Sequence, residues 1–164
     1  MSRRSRRNYG ILITGLCLLT LAVIVADAAT SRTAQGSWKL DVAKSSYEKM
    51  QAPRYEKLVV MNDKPDAIKW LLTGASADGK TYVSSYDGPV DGKARPFGNS
   101  EIGNTIAYKR SAGALEWTVK DKSGAVLETG ASQLSADGNT LTLKGTTQQP
   151  SGKANYLSVF DRIQ

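Results

Sequence analysis

The chain has 164 residues, of which 40% are hydrophobic, and it carries a formal net charge of +7, with no histidine and one cysteine. The lack of histidine excludes Ser-His-Asp and Cys-His catalysis, haem held by histidine, and the ordinary zinc sites. Among the carboxylates, no pair stands out as a glycosidase-like acid and nucleophile. We therefore predict a protein that is not an enzyme and that binds no metal or cofactor. An enzyme independent of histidine and cysteine is the alternative.

The first 28 residues have the three parts of a secretory signal peptide. Four arginines precede an apolar stretch over residues 11–26, and Ala26-Asp27-Ala28 places small residues around a cleavage point. The apolar stretch is shorter than the roughly 20 residues that a spanning helix needs. We expect cleavage near Ala28, rather than a retained anchor, and a periplasmic or secreted location for a product that does not span the membrane.

Removal of this segment would change both the charge and the cysteine content. Its four arginines and Asp27 account for +3 of the +7, so the remainder carries +4, and Cys17 lies inside the segment. The remaining lysines are scattered, which predicts no nucleic-acid partner. Without a disulfide, the remainder depends on its core alone. We predict a polar leader over residues 29–35 and one domain over residues 36–164.

From residue 36 onward, short strand-like segments alternate with turns. Alternation is clearest where Leu115, Trp117 and Val119 share one face, and this pattern indicates a sheet with one buried face. Gly after Asp or Ser, as in Asp137-Gly138, supplies the positive φ of hairpin turns. Glu116 and Glu128 are expected on outward strand faces, and residues 42–50 are expected to form a loop. The expected strands cover residues 36–41, 55–62, 67–72, 80–86, 105–110, 115–120, 125–134, 140–144 and 154–163.

This pattern predicts an all-β fold. An antiparallel up-and-down barrel of about 8–10 strands would bury one face of the sheet and remove its exposed edges. A two-sheet β-sandwich is the alternative. An outer-membrane barrel would need an outward apolar band, whereas the outward positions here carry Lys, Glu and Thr.

Two short motifs resemble the calycin superfamily of lipocalins and their relatives. Gly36-Ser37-Trp38 opens the first strand, and Asp161-Arg162 ends the last one. In that superfamily a Gly-x-Trp lies at the closed end of the barrel, and an arginine of the last strand stacks on the tryptophan. The resemblance therefore implies that Gly36, Trp38 and Arg162 close the barrel.

A more specific resemblance is to small exported bacterial proteins of the lipocalin-like type. It spans nearly all of the predicted domain, apart from residues 89–100, and it implies a barrel but little about a ligand. The segments that carry it are Gly36-Ser37-Trp38-Lys39-Leu40, Lys44-Ser45, Tyr86-Asp87-Gly88, Asp137-Gly138-Asn139-Thr140-Leu141-Thr142, Gly145-Thr146 and Val159-Phe160-Asp161-Arg162.

Aromatic residues in the expected strands suggest a binding interior. If their faces line a barrel, rings and hydroxyls would mix there, as expected of a pocket for a small hydrophobic or amphipathic ligand. The alternative is an envelope or protein-interaction domain whose aromatics simply fill a packed core. Arg162 could neutralise a ligand carboxylate, but we favour its stacking on Trp38. The candidate ligand-binding residues are Trp70, Tyr82, Tyr86, Tyr108, Trp117 and Phe160.

Overall fold

The computed structural model describes residues 33–98 and 103–163. The predicted signal peptide and residues 29–32 of the predicted leader lie outside these ranges. Among the described residues, no helix is long and apolar enough to cross a membrane. The strands are β1 (Gly36–Leu40), β2 (Ser46–Tyr47), β3 (Tyr55–Asp63), β4 (Ala67–Ala75), β5 (Thr81–Pro89), β6 (Arg95–Pro96), β7 (Thr105–Ser111), β8 (Ala114–Lys120), β9 (Val126–Leu134), β10 (Thr140–Gln149) and β11 (Gly152–Ile163).

One continuous antiparallel sheet contains these strands. Its order is β5-β4-β3-β1-β11-β10-β9-β8-β7-β6, and β2 pairs separately with β11. Strands that follow one another in the chain are therefore mostly neighbours, as in a meander. The first strand lies between β3 and the last strand, so the two ends of the domain meet in the middle of the sheet.

The sheet curls until its two edges meet. Ser85 of β5 and Gly98, which follows β6, form an isolated bridge. The N–H of each residue donates to the carbonyl of the other, at 3.1 and 3.2 Å. The described residues thus form an all-β barrel, and the β-sandwich alternative does not describe them.

The inner face of the barrel forms the core. Trp38, Ile106, Val119 and Phe160 are the largest fully buried side chains among the described residues. Trp38, Ile106 and Val119 lie in strands where buried and more exposed positions alternate, as the two-residue period of a half-buried strand requires, whereas Phe160 ends a run of three buried residues. Burial of these side chains stabilises the fold without any disulfide.

Two short strands lie in segments where the sequence indicated none. Ser46–Tyr47 pairs with Tyr156 and Leu157 in a region expected to be a loop. Arg95–Pro96 pairs with β7 inside the segment that departs from the lipocalin-like pattern. Both strands have only two residues, too few for a periodic signal. The last strand also begins at Gly152 rather than at residue 154.

Candidate functional site

The barrel contains a partly open cavity of about 460 Å³. Its lining comes from most of the long strands and from the loop before β3. At one end the lining is mainly apolar, and we call this the Arg162 end because that residue lies just outside it. The apolar residues there include Val60, Ile68, Leu115, Leu134, Leu141 and Phe160.

The opposite end of the cavity is polar, and we call it the Glu128 end. It lies where β4 turns into β5 and β10 turns into β11, and Met50, Gln51 and Pro53 of the loop before β3 contribute to its lining. The polar residues there include Tyr47, Glu56, Tyr82, Glu128, Thr147 and Tyr156. The cavity is therefore amphipathic along the barrel axis.

Most of the aromatic residues singled out in the sequence meet in this cavity. Trp70, Tyr82, Tyr108, Trp117 and Phe160 all line it. Tyr86 is buried but is not part of the lining. Its ring packs against Tyr108, with 4.9 Å between ring centroids, and its hydroxyl donates to the carbonyl of Pro89 at 2.9 Å.

Trp70 and Tyr108 form a hydrogen-bonded pair in the middle of the barrel. The indole N–H of Trp70 donates to the Tyr108 hydroxyl at 3.0 Å. Burial raises the pKa of Tyr108, so its hydroxyl stays neutral at physiological pH. Phe97 packs edge-on against Trp70 with ring centroids 5.8 Å apart. These contacts fix ring orientations in the cavity wall.

Glu128 is inside the barrel, and the expectation that it faces outward is wrong. It pairs with the inward residue Val119 on β8, and directly paired residues of antiparallel strands share a face. Its Oε1 accepts hydrogen bonds from the Trp117 indole at 2.8 Å and the Tyr156 hydroxyl at 2.7 Å. Burial raises the pKa of Glu128, and these two hydrogen bonds oppose that rise.

Glu56 is a second acidic residue of the cavity lining, and sequence reasoning missed it. The Tyr82 hydroxyl donates to its Oε1 at 2.5 Å. Burial raises the pKa of Glu56, the hydrogen bond from Tyr82 lowers it, and the charge of Glu128 raises it further. The signal was available, because Glu56 is in period-two register with the buried residues Leu58 and Val60.

Glycines opposite the tyrosines allow this arrangement. Gly145 pairs with Tyr156 and Gly74 pairs with Tyr82. A Cβ atom on Gly145 would lie 2.6 Å from the ring of Tyr156, and one on Gly74 would lie 2.7 Å from the ring of Tyr82. Each ring therefore lies across the backbone of its neighbour strand, which directs its hydroxyl to a carboxyl group.

At the Arg162 end, the first and last strands are joined by side-chain contacts. The guanidinium carbon of Arg162 lies 4.1 Å from the centroid of the Trp38 ring. The guanidinium donates to the carbonyls of Gly138 at 2.7 Å, Gln35 at 2.8 Å and Thr33 at 3.4 Å. A Cβ atom on Gly36 would lie 2.5 Å from Arg162 Nη1. Arg162 does not line the cavity, so these contacts favour the structural role over contact with a ligand.

Arg110 is the one basic residue among the described residues that line the cavity. It forms an ion pair with Asp63 and donates to the carbonyl of Lys64 at 3.0 Å. Asp63 is the last residue of β3 and Lys64 follows it, so both partners lie at the Arg162 end. The positive charge of Arg110 is therefore balanced by Asp63, far along the barrel from Glu56 and Glu128.

Comparison with known proteins supports the fold and leaves the family open. No protein-family model matches the chain. No curated protein matches it either. A crystal structure of a mutant of the fluorescent protein UnaG matches with a TM-score of 0.51 at 11% identity, over 79% of this chain and 96% of that one. At this identity the similarity shows a shared β-barrel fold and nothing finer.

Two further solved structures are similar. Zebrafish ileal bile acid-binding protein complexed with cholic acid matches with a TM-score of 0.49 at 14% identity, over 79% of this chain and 98% of that one. The protein Rv2717c from M. tuberculosis matches with a TM-score of 0.46 at 17% identity, over 84% and 96% of the two chains.

Proposed function

We propose that this protein is an exported, non-enzymatic binding protein that holds a small amphipathic molecule inside its barrel. The observation that carries this proposal is the space of about 460 Å³ inside the barrel, mainly apolar at one end and mainly polar at the other. Pockets for small molecules have about this size and combine an apolar lining with a few fixed polar groups. A domain that acted only through its outer surface would gain stability by filling such a space.

Unpartnered polar groups in the wall give the proposal a second support. Ser84 and Thr147 are 6% and 8% exposed, line the cavity, and form no side-chain hydrogen bond to the described residues. Among the described residues, every side-chain N or O atom that is fully enclosed by protein has a hydrogen-bond partner. Because the hydroxyls of Ser84 and Thr147 have no partner, they are not fully enclosed and must face the cavity, where a ligand or water can bind them.

Native mass spectrometry tests the proposal on protein that is produced from the complete gene and purified after its cell has exported and processed it. We expect an added mass that disappears after extraction with organic solvent. We also expect the emptied protein to take up an apolar probe with a stoichiometry of one. A protein that is empty on purification and takes up no lipid, alcohol or amine would contradict the proposal and favour a domain with an unfilled interior.

The export part of the proposal has its own test. The N-terminal segment has the features of a cleaved signal peptide, and the +4 remainder has no cysteine that would need a reducing compartment. Intact mass should place the mature N-terminus at Ala29, in the periplasmic or culture fraction. A cytoplasmic protein of full-length mass would contradict export without bearing on the cavity.

A further inference from the structure

The charge balance of the cavity indicates which ligand it selects. Glu56 and Glu128 line the Glu128 end, and no ion pair to either carboxyl is present among the described residues. Arg110 is already paired with Asp63, and Arg162 is bound to three carbonyls outside the cavity. A ligand bound there meets two acids and no available cation.

The hydrogen bonds leave one oxygen of each carboxyl available. Glu128 accepts from Trp117 and Tyr156, and both bonds end on Oε1. Glu56 accepts from Tyr82, again on Oε1. Neither Oε2 has a donor among the described residues. Every fully enclosed side-chain oxygen of the described residues has a partner, so the Oε2 atom of Glu128, which has none, is not fully enclosed. Since Glu128 is only 8% exposed and lines the cavity, this atom must face the cavity.

The groups that contact the carboxyls of Glu56 and Glu128 are hydrogen-bond donors, so both carboxyls act as acceptors. Indole and phenol groups donate to Oε1, the arrangement that suits an ionised carboxylate. The hydroxyl of Thr147, directly across from Glu128 on β10, is also free to accept or donate toward the cavity. A buried carboxylate without a cationic partner is unstable, and a cation placed beside it relieves that instability.

We propose that the cavity selects lipophilic amines, with the ammonium group between Glu56 and Glu128 and the apolar body toward the Arg162 end. This inference rests on the proposed binding function and specifies its ligand class. The raised pKa values of the two acids have the same physical origin, because both result mainly from burial without a compensating charge. An anionic amphiphile would place its charge beside two acids instead.

The test compares three probes with the same ten-carbon chain: decylamine, decanol and decanoate. Each is titrated calorimetrically, below its micelle concentration, into the delipidated full gene product as it is exported. We expect decylamine to bind at least tenfold more tightly than decanol, and decanoate to bind more weakly than decanol. The chain that remains after removal of residues 1–28 carries +4, so general surface charge would favour decanoate and cannot produce the expected order.

The outcomes separate the two proposals. If decanoate or decanol binds as tightly as decylamine, the amine preference is wrong, while ligand binding in the barrel stands. If none of the three binds, the proposed binding function fails, and the inference fails with it. The wild-type series therefore decides the question even if a variant does not fold.

Two isosteric variants then locate the effect. Glu128→Gln and Glu56→Gln should each weaken decylamine binding at least tenfold and change decanol binding less than twofold. Thr118→Ala, an outward position on β8, is the matched control and should change neither. Unchanged decylamine binding in both glutamine variants would overturn the assignment of the two acids.

Discussion

At the residue scale, the buried acids are the most informative feature of the molecule. The sequence alone predicts Glu128 on an outward strand face. In the structure Val126 is 51% exposed and Glu128 is 8% exposed. Glu128 turns inward because it pairs with Val119, next to a bulge at the end of β8 that shifts the register of β9. That pairing is tertiary and leaves no local signal.

The buried acids Glu56 and Glu128 should lower the stability of the folded protein as the pH rises. An acid whose folded-state pKa is raised favours the folded protein while protonated, so its contribution is lost as pH rises from the unfolded pKa of 4.5 through the folded pKa. Glu128→Gln should therefore flatten the loss of stability above pH 4.5 and raise Tm at neutral pH. Thermal denaturation of both proteins from pH 4 to pH 8 checks this.

The groups that face Glu128 are Trp117, Tyr156, Tyr108 and, through its charge, Glu56. None of the three aromatic groups ionises below pH 8. Surface aspartates such as Asp91, whose pKa is held low by Arg95, contribute with the opposite sign at lower pH. They are unchanged in the variant and cancel in the difference. A Tm that falls at pH 8 on Glu128→Gln would contradict the argument.

Arg162 supports a second residue-scale prediction. Arg162→Ala removes the contact with Trp38 and three donors to carbonyls, so we expect a loss of about 2–4 kcal/mol in the free energy of unfolding. Arg162→Lys keeps the charge but not the planar fork and should recover only part of this. An unchanged Tm, combined with lost affinity for an anionic ligand, would show that Arg162 serves the ligand.

At the element scale, the sequence predicted the nine long strands well because each has several alternating positions and a flanking turn. It failed for β2 and β6, which exist only because a neighbouring strand offers hydrogen bonds. Five of the six aromatic residues named as ligand-binding candidates line the cavity, because residues in period-two register share one face of a strand. The empty space between those rings depends on barrel diameter, which no single strand encodes.

Strand β10 contains a prediction about close packing. Gly145→Ala should destabilise the protein by about 1–3 kcal/mol, because its Cβ atom would lie 2.6 Å from the Tyr156 ring and 2.8 Å from the carbonyl oxygen of Thr129. Chemical denaturation measures this. Lys144→Ala, at an exposed neighbouring position on the same strand, is the control and should change stability by less than about 0.5 kcal/mol. Equal effects would mean that the ring has room to move.

The contact between the two edges of the sheet, at β5 and the segment after β6, should be the least stable strand pairing of the barrel. β10 and β11 pair from Thr140 opposite Asp161 to Gln149 opposite Gly152, whereas β5 meets the β6 side at the isolated bridge of Ser85 and Gly98. Native-state hydrogen exchange should therefore show faster exchange at the Ser85 amide than at the amide of Phe160, which is paired with Leu141 of β10. Exchange of the two amides at the same rate would indicate that the barrel opens only as a whole.

At the scale of the whole molecule, the domain that follows the predicted signal peptide has to be stable without covalent links. The sole cysteine, Cys17, lies in that segment. Tm of the exported protein should therefore be the same with and without a thiol reductant. A drop in Tm on reduction would show that residue 17 is retained and bonded to a second chain.

The positions of the three tryptophans give the protein its own optical probes. Trp38 lies under Arg162 outside the cavity, whereas Trp70 and Trp117 line the cavity, the first bound to Tyr108 and the second to Glu128. Indole emission depends on local polarity and on hydrogen bonding of the ring N–H. Emission from Trp117 should thus report the ionisation of Glu128, Trp70 should report occupancy of the barrel centre, and Trp38 should stay constant as an internal reference.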